Sequence, residues 1–291
     1  MRHLIQHTIS RRKFFASSAA AAAALNFTPR AFALAAAPAC TLISEQEVGP
    51  FYVAGELLRA NLAEDKPGLP LKLRIAIIDV NTCAPISNAA IDLWHCDALG
   101  LYSGYTMSSR AEGSGGPPSD FDPNRLGPPP ANRERANGGP PQMEPTDKLT
   151  FLRGIQITDG RGAVAFQTIF PGFYEGRVNH IHFKVRIGGF PDQRTYTAGH
   201  TSHTGQIFFP EELAIQLMAR EPYASHQIHR TTQAEDHVFN EQHGDLAVST
   251  IAPIHSGNID AGFQATLTVA VDPAATPAAA GMRGPTGRAR S

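Results

Sequence analysis

Apolar and polar residues alternate through Leu71-Lys72-Leu73-Arg74-Ile75-Ala76-Ile77. A period of two puts the four large aliphatic residues on one face and the charges on the other, the mark of a half-buried strand. After a turn-rich stretch at 81–88, Ile91-Asp92-Leu93-Trp94-His95-Cys96 predicts a second strand, and the two are expected to form a hairpin-like pair. Further strands are expected at 151–158, 163–170, 178–187, 206–209 and 265–271. Asp159-Gly160 marks a tight turn between two of them, because glycine reaches positive φ without strain. Helical spacing is confined to 210–220, where Pro210 opens the segment and Leu213, Leu217 and Met218 share a face. Many short strands with almost no helix between them predict an all-β chain, a β-sandwich of mixed or antiparallel sheets with long loops. Residues 111–145, rich in Gly, Pro and Asn, read as one long loop, and the tail from Asp272 onward, without periodicity, as unordered.

Composition narrows the partners more than the fold. With 42% hydrophobic and 18% charged residues, the 291-residue chain resembles ordinary core-forming proteins. A formal charge of -1 offers no footprint for phosphate backbones, so no nucleic-acid partner is expected. The N-terminus carries Ser10-Arg11-Arg12-Lys13-Phe14-Phe15, an alanine-dominated run at 16–25, and Ala31-Phe32-Ala33. That order reads as a twin-arginine export signal ending in a cleavage site. The run is far shorter than the roughly 20 residues that span a bilayer, so no stable membrane anchor is expected. The expected division is a signal at 1–33, one β-sandwich domain at 34–271 and a tail at 272–291. The twin-arginine machinery is the expected export partner, and the periplasm or the exterior the destination. Cys40, Cys83 and Cys96 allow one disulfide plus one thiol there, and their spacing neither selects the pair nor suggests a zinc site.

The sharpest chemical signal is Asn179-His180-Ile181-His182-Phe183 on a predicted strand. Residues two apart share a face, so His180 and His182 can present two imidazoles to one metal ion. Alone, such a pair is weak evidence and reads more readily as two histidines on a solvated face. Upstream lies Pro171-Gly172-Phe173-Tyr174-Glu175-Gly176-Arg177, where a Pro-Gly bend lets Tyr174 swing back toward the histidines. Earlier still, the Trp94 strand runs into a glycine-containing turn bearing Tyr102 and Tyr105. His200, His203, His226 and His229 are also paired by spacing and read as solvated surface residues.

In these elements the chain resembles the intradiol ring-cleavage dioxygenases, the family of protocatechuate 3,4-dioxygenase and catechol 1,2-dioxygenase. In that family a tyrosine follows a Trp-containing strand, a second follows a Pro-Gly turn, and an Arg-x-x-His-x-His run completes the site. Here those elements are Trp94 to Tyr102, Pro171 to Tyr174, and Arg177 through His182; the resemblance also reaches Thr204-Gly205-Gln206-Ile207-Phe208-Phe209 and covers 41–271. It implies Fe(3+) held by Tyr102, Tyr174, His180 and His182. Tyr105 is the rival for the first position, but the separation of Tyr102 from Trp94 matches the family pattern. Phenolates are hard anions that favour the ferric state, and two neutral imidazoles complete such a site. The implied reaction opens a catecholic ring between its hydroxylated carbons with O2, giving a cis,cis-muconate. Tyr174 would leave the metal and take a substrate proton. The charge of Arg177 would stabilise carbanion character on the ring, and Gln206 would lie near it.

The resemblance leaves the substrate open: catechol, protocatechuate, hydroxyquinol and lignin-derived catechols all fit, with export favouring environmental phenolics. The long helical N-terminal segment through which catechol 1,2-dioxygenases dimerise has no counterpart here, so no oligomeric state is implied. Two other readings compete. One is a zinc hydrolase on the His-x-His pair with a carboxylate such as Glu175 as third ligand. The other is a non-catalytic module for phenolic polymer or polysaccharide on the same scaffold.

Overall fold

The computed structural model describes residues 40–106, 143–278 and 280. The signal at 1–33 and positions 111–142 of the long loop lie outside the described residues. Eight strands form two four-stranded sheets. The first holds β1 (Pro70–Asp79), β4 (Ala163–Ile169), β7 (Thr250–His255) and β8 (Asn258–Val271), in the order β4-β1-β8-β7. The second holds β2 (Ala90–Trp94), β3 (Arg153–Ile157), β5 (His180–Asp192) and β6 (Thr195–Phe208), in the order β3-β2-β5-β6. Only β1 and β8 run parallel; the other neighbours are antiparallel, so the molecule is an all-β sandwich of one mixed and one antiparallel sheet.

The alternation in β1 is realised directly. Leu71, Leu73, Ile75 and Ile77 are buried and meet Ile91, Leu93, Ile181, Phe183 and Val185 of the facing sheet in one core. The expected hairpin between β1 and β2 is corrected by this packing, because the two strands belong to different sheets. β1 has a single apolar face, and Ile91 and Leu93 can cover it only from across the sandwich. The chain likewise changes sheets between β3 and β4. The glycine that needs positive φ there is Gly162, at 69°, rather than Gly160. Asp159 shapes that turn by accepting the N–H groups of Arg161 (2.9 Å) and Ala163 (3.0 Å).

The helix expected at 210–220 is α1 (Glu211–Met218). A second, α2 (His237–Glu241), was not expected; Asp236 caps it by accepting from the N–H groups of Val238 and Phe239. Nor were β7 and the first half of β6. β7 is an edge strand interrupted by Pro253, and the polar start of β6 has both faces largely in solvent, so neither alternates. Cys40 and Cys83 form the disulfide, leaving Cys96 buried and free. The tail keeps an ordered start, since the Pro273 carbonyl lies 3.0 Å from His200 Nε2.

Along β5 the odd residues Ile181, Phe183 and Val185 enter the shared core. The even residues His180, His182, Lys184 and Arg186 therefore lie on the outer face of their sheet. Residues 43–62 cover that face, bonding Gln46 N–H to the Thr204 carbonyl (2.9 Å) and Arg59 N–H to the Ile155 carbonyl (3.0 Å). The cover buries Val48 and Phe51.

Candidate metal centre

Register builds one row across the outer face. Trp94 pairs with Arg153 on one side and His182 on the other, and His182 pairs with Gln206. His180 stands two residues along from His182, with their Nε2 atoms 3.0 Å apart. His180 Nδ1 donates to the Val178 carbonyl at 2.6 Å, which fixes the tautomer and leaves Nε2 as an acceptor facing the site. The Tyr174 hydroxyl reaches that Nε2 at 3.4 Å. Its turn is closed by Arg177 N–H bonding the Tyr174 carbonyl (3.1 Å), with Gly176 at φ 77°.

Tyr102 arrives from the other sequence stretch. Its ring centroid lies 5.8 Å from that of Tyr174 and 6.4 Å from that of His182. The Tyr102 hydroxyl is buried without a hydrogen-bond partner among the described residues. Tyr105 is placed differently, its hydroxyl donating to the carbonyls of Met143 (3.0 Å) and Tyr52 (3.2 Å). The two tyrosine-bearing turns touch through Gly172, whose N–H bonds the Asp97 carbonyl at 3.2 Å. A Cβ at Gly172 would lie 2.4 Å from that oxygen. Asn179 holds the Pro-Gly bend by donating to the carbonyls of Pro171 (3.0 Å) and Gly172 (2.9 Å).

His182 is oriented otherwise than His180. Its Nδ1 is buried with no hydrogen-bond partner among the described residues, but its ring stacks on Trp94 at 5.0 Å and 4° between planes. Gly49 packs against its Cε1–Nε2 edge, where a Cβ would lie 3.2 Å from Cε1. Phe51 stacks on Tyr102 at 4.6 Å and meets Tyr174 edge-on at 6.1 Å.

Beside these rings lies a buried polar network. Arg177 Nε donates to both Asp236 oxygens (3.2 and 3.0 Å), Nη1 to Glu47 (3.3 Å) and Nη2 to Gln206 Oε1. Gln206 Nε2 donates to the Glu47 carbonyl at 3.0 Å, so its amide is held at both ends. Burial alone would push the Asp236 carboxyl up, but Arg177 and backbone N–H donors hold it below its usual range. Sequence reasoning found Arg177 and Gln206 but missed Glu47 and Asp236. Asp236 left a faint trace as a helix-capping residue; Glu47 left none.

Two other expectations are corrected. His203 is fully buried against Glu45, with Nδ1 to Oε1 at 2.5 Å, because the covering segment seals it; the surface reading fails there. Glu175, offered as a zinc ligand, is exposed while both histidines are buried, and no trio of His, Cys, Asp or Glu able to hold a metal occurs among the described residues.

The remaining donor set is two imidazoles and two phenols. Burial, then Arg177, pushes His180 well below its ordinary pKa, and burial does the same to His182, leaving both neutral and ready to coordinate. Burial pushes both phenols upward, so they keep their protons unless a cation rewards the anion. Nitrogen atoms 3.0 Å apart suit adjacent positions on one ion with bonds of about 2.1 Å. The unpartnered Tyr102 hydroxyl, the converging nitrogens and the hard phenol oxygens together fit a ferric ion.

A sandwich carrying two tyrosines and a His-x-His pair on its outer face defines a class of ring-opening oxygenases. The chain is similar to the crystal structure of a dioxygenase, at 30% identity and TM-score 0.62, over 81% of this chain and 96% of that one. It is also similar to an intradiol ring-cleavage dioxygenase from Tetranychus urticae, at 29% identity and TM-score 0.64, over 82% and 98% of the two chains. No family model and no curated protein matches the chain. This protein belongs to the intradiol ring-cleavage dioxygenases, oxidoreductases that cleave catechol rings with O2 and use non-haem iron.

Proposed function

We propose that this chain is an iron(III)-dependent enzyme in which Tyr102, Tyr174, His180 and His182 hold the metal and a catechol is opened to a cis,cis-muconate. The observation that carries this is the approach of Tyr174 and His182 to the same His180 nitrogen, 3.4 and 3.0 Å away, with the Tyr102 hydroxyl buried and without a hydrogen-bond partner among the described residues. Bound there, ferric iron would bring the two catechol oxygens and O2 together and draw electron density from the ring. The chain's own residues set the conditions. Burial favours the neutral Tyr174 phenol, so its phenolate would be a strong base, suited to take a proton from the incoming catechol. Arg177, matched by Asp236 and Glu47, offers rigid oriented N–H donors rather than a free charge. Gln206 keeps Arg177 in place and so borders the ring-binding space through it. Phe51, Trp94 and Val48 exclude water.

The deciding experiment is metal analysis with a visible spectrum of purified protein before and after adding catechol under air, alongside an oxygen electrode. The expected result is one iron per chain, a phenolate absorption band that shifts with catechol, and oxygen consumed one for one with catechol. Zinc content without colour would restore the hydrolase reading, and colour without oxygen uptake the binding-module reading.

Export is part of the same proposal. The Arg11-Arg12 signal supports it, and so does the Cys40–Cys83 disulfide, since such bonds persist in oxidising compartments. Replacing both arginines by lysine should strand the protein, with its signal uncleaved, in the cytoplasm; undiminished export would refute the assignment.

A further inference from the structure

Two arginines lie near the four candidate ligands, and their surroundings differ. Arg177 is neutralised by two carboxylates. Arg153 is fully buried, yet its nearest carboxylate, Glu56, stands 3.8 Å from Nε, beyond hydrogen-bond distance. Its Nη1 has no partner among the described residues. What Arg153 does grip is the residue after Tyr102. Nε donates to Ser103 Oγ at 2.8 Å and Nη2 to the Ser103 carbonyl at 2.7 Å, while Ser103 Oγ donates to the Phe151 carbonyl at 2.6 Å. The guanidinium carbon lies 6.0 Å from the Tyr102 ring centroid.

A buried guanidinium without a close anion is costly, and its cost falls when a negative charge forms nearby. Burial also pushes the Glu56 carboxyl up to about 7, against the pull of Arg153, so near neutral pH Glu56 compensates this cation only in part. Besides the buried Asp92, whose charge also acts on Arg153, the anion within reach is the one that Tyr102 becomes on binding metal. We propose that Arg153 is a positioning residue that clamps the Tyr102-Ser103 turn and serves as the buried counter-charge of the Tyr102 phenolate. This rests on Tyr102 being an iron ligand. The clamp fixes where the phenol oxygen points, and the charge lowers the energy of the electrons that the phenolate donates.

The phenolate-to-iron absorption band of the iron-loaded protein reads that energy directly. A cation beside the donor stabilises its electrons and moves the band to shorter wavelength. Arg153→Met should therefore shift the band to longer wavelength, while Arg153→Lys, which keeps the charge, should remain near the wild-type position. Glu56→Gln, which leaves Arg153 less compensated, should shift it the opposite way, to shorter wavelength. If Arg153→Met folds and its band stays put, or if Arg153→Lys moves as far as Arg153→Met, the counter-charge assignment is overturned. If Arg153→Met does not fold, Glu56→Gln decides, and an unmoved band overturns it. A wild-type protein that binds iron without any such band instead removes Tyr102 and Tyr174 as ligands, and this inference falls with that reading.

Discussion

At the scale of single residues, the two histidines of the site are held by different physics. His180 is set by a hydrogen bond from Nδ1 to a backbone carbonyl, the usual outer support of a metal-binding imidazole. His182 Nδ1 has no hydrogen-bond partner among the described residues, and its ring rests on the flat face of Trp94 and against the bare backbone of Gly49. Trp94→Leu keeps an apolar filler but loses the stacking plane, so iron should bind roughly 10–100-fold more weakly, the range typical of lost outer support. Trp94→Phe should recover most of that loss. Competition against a chelator measures both, and equal affinity in the two variants would show that the stack does not orient His182. His-x-His parity and the tyrosine of the Pro-Gly turn are local, and the sequence disclosed them. Glu47 and Asp236 reach Arg177 from 130 and 59 residues away, and nothing near any of the three records the meeting. His203 was misread for the same reason: its partner Glu45 is 158 residues distant.

At the scale of elements, strand alternation was readable wherever one face is buried and the other wet. It failed where that contrast is missing: in β7 and in the solvent-flanked start of β6. Sheet membership was illegible too, since alternation tells which residues face the core but not which sheet carries them. The contact between the two tyrosine-bearing turns depends on Gly172 having no side chain. Gly172→Ala would force its new methyl against the Asp97 and Ala98 carbonyls, 2.4 and 2.6 Å away. A loss of about 1–3 kcal/mol is expected, as for other overpacked sites, readable by urea unfolding. Because the strain falls on both turns, the visible band should shift as well.

At the scale of the whole molecule, buried neutral imidazoles make stability depend on pH. Burial pushes His95 down to about 4, with Nδ1 bonded to the Cys96 carbonyl and Nε2 to Thr168. The folded state therefore binds fewer protons than the unfolded one between that value and the ordinary histidine pKa near 6.5. Its stabilising contribution is complete above about 6.5 and is lost as pH falls toward 4, on the order of 3 kcal/mol in all. His180 and His182 act in the same direction in metal-free protein. Urea unfolding of metal-free protein across that window should show the decline, and a flat profile would contradict neutral burial. The long β5 strand serves the fold with one set of residues and the proposed chemistry with the other: Ile181 and Phe183 glue the sheets, while His180 and His182 look outward. An engineer altering substrate range can therefore vary the neighbours of these histidines on the outer side, such as Val48 and Phe51 of the cover, without repairing the sandwich interior after each change.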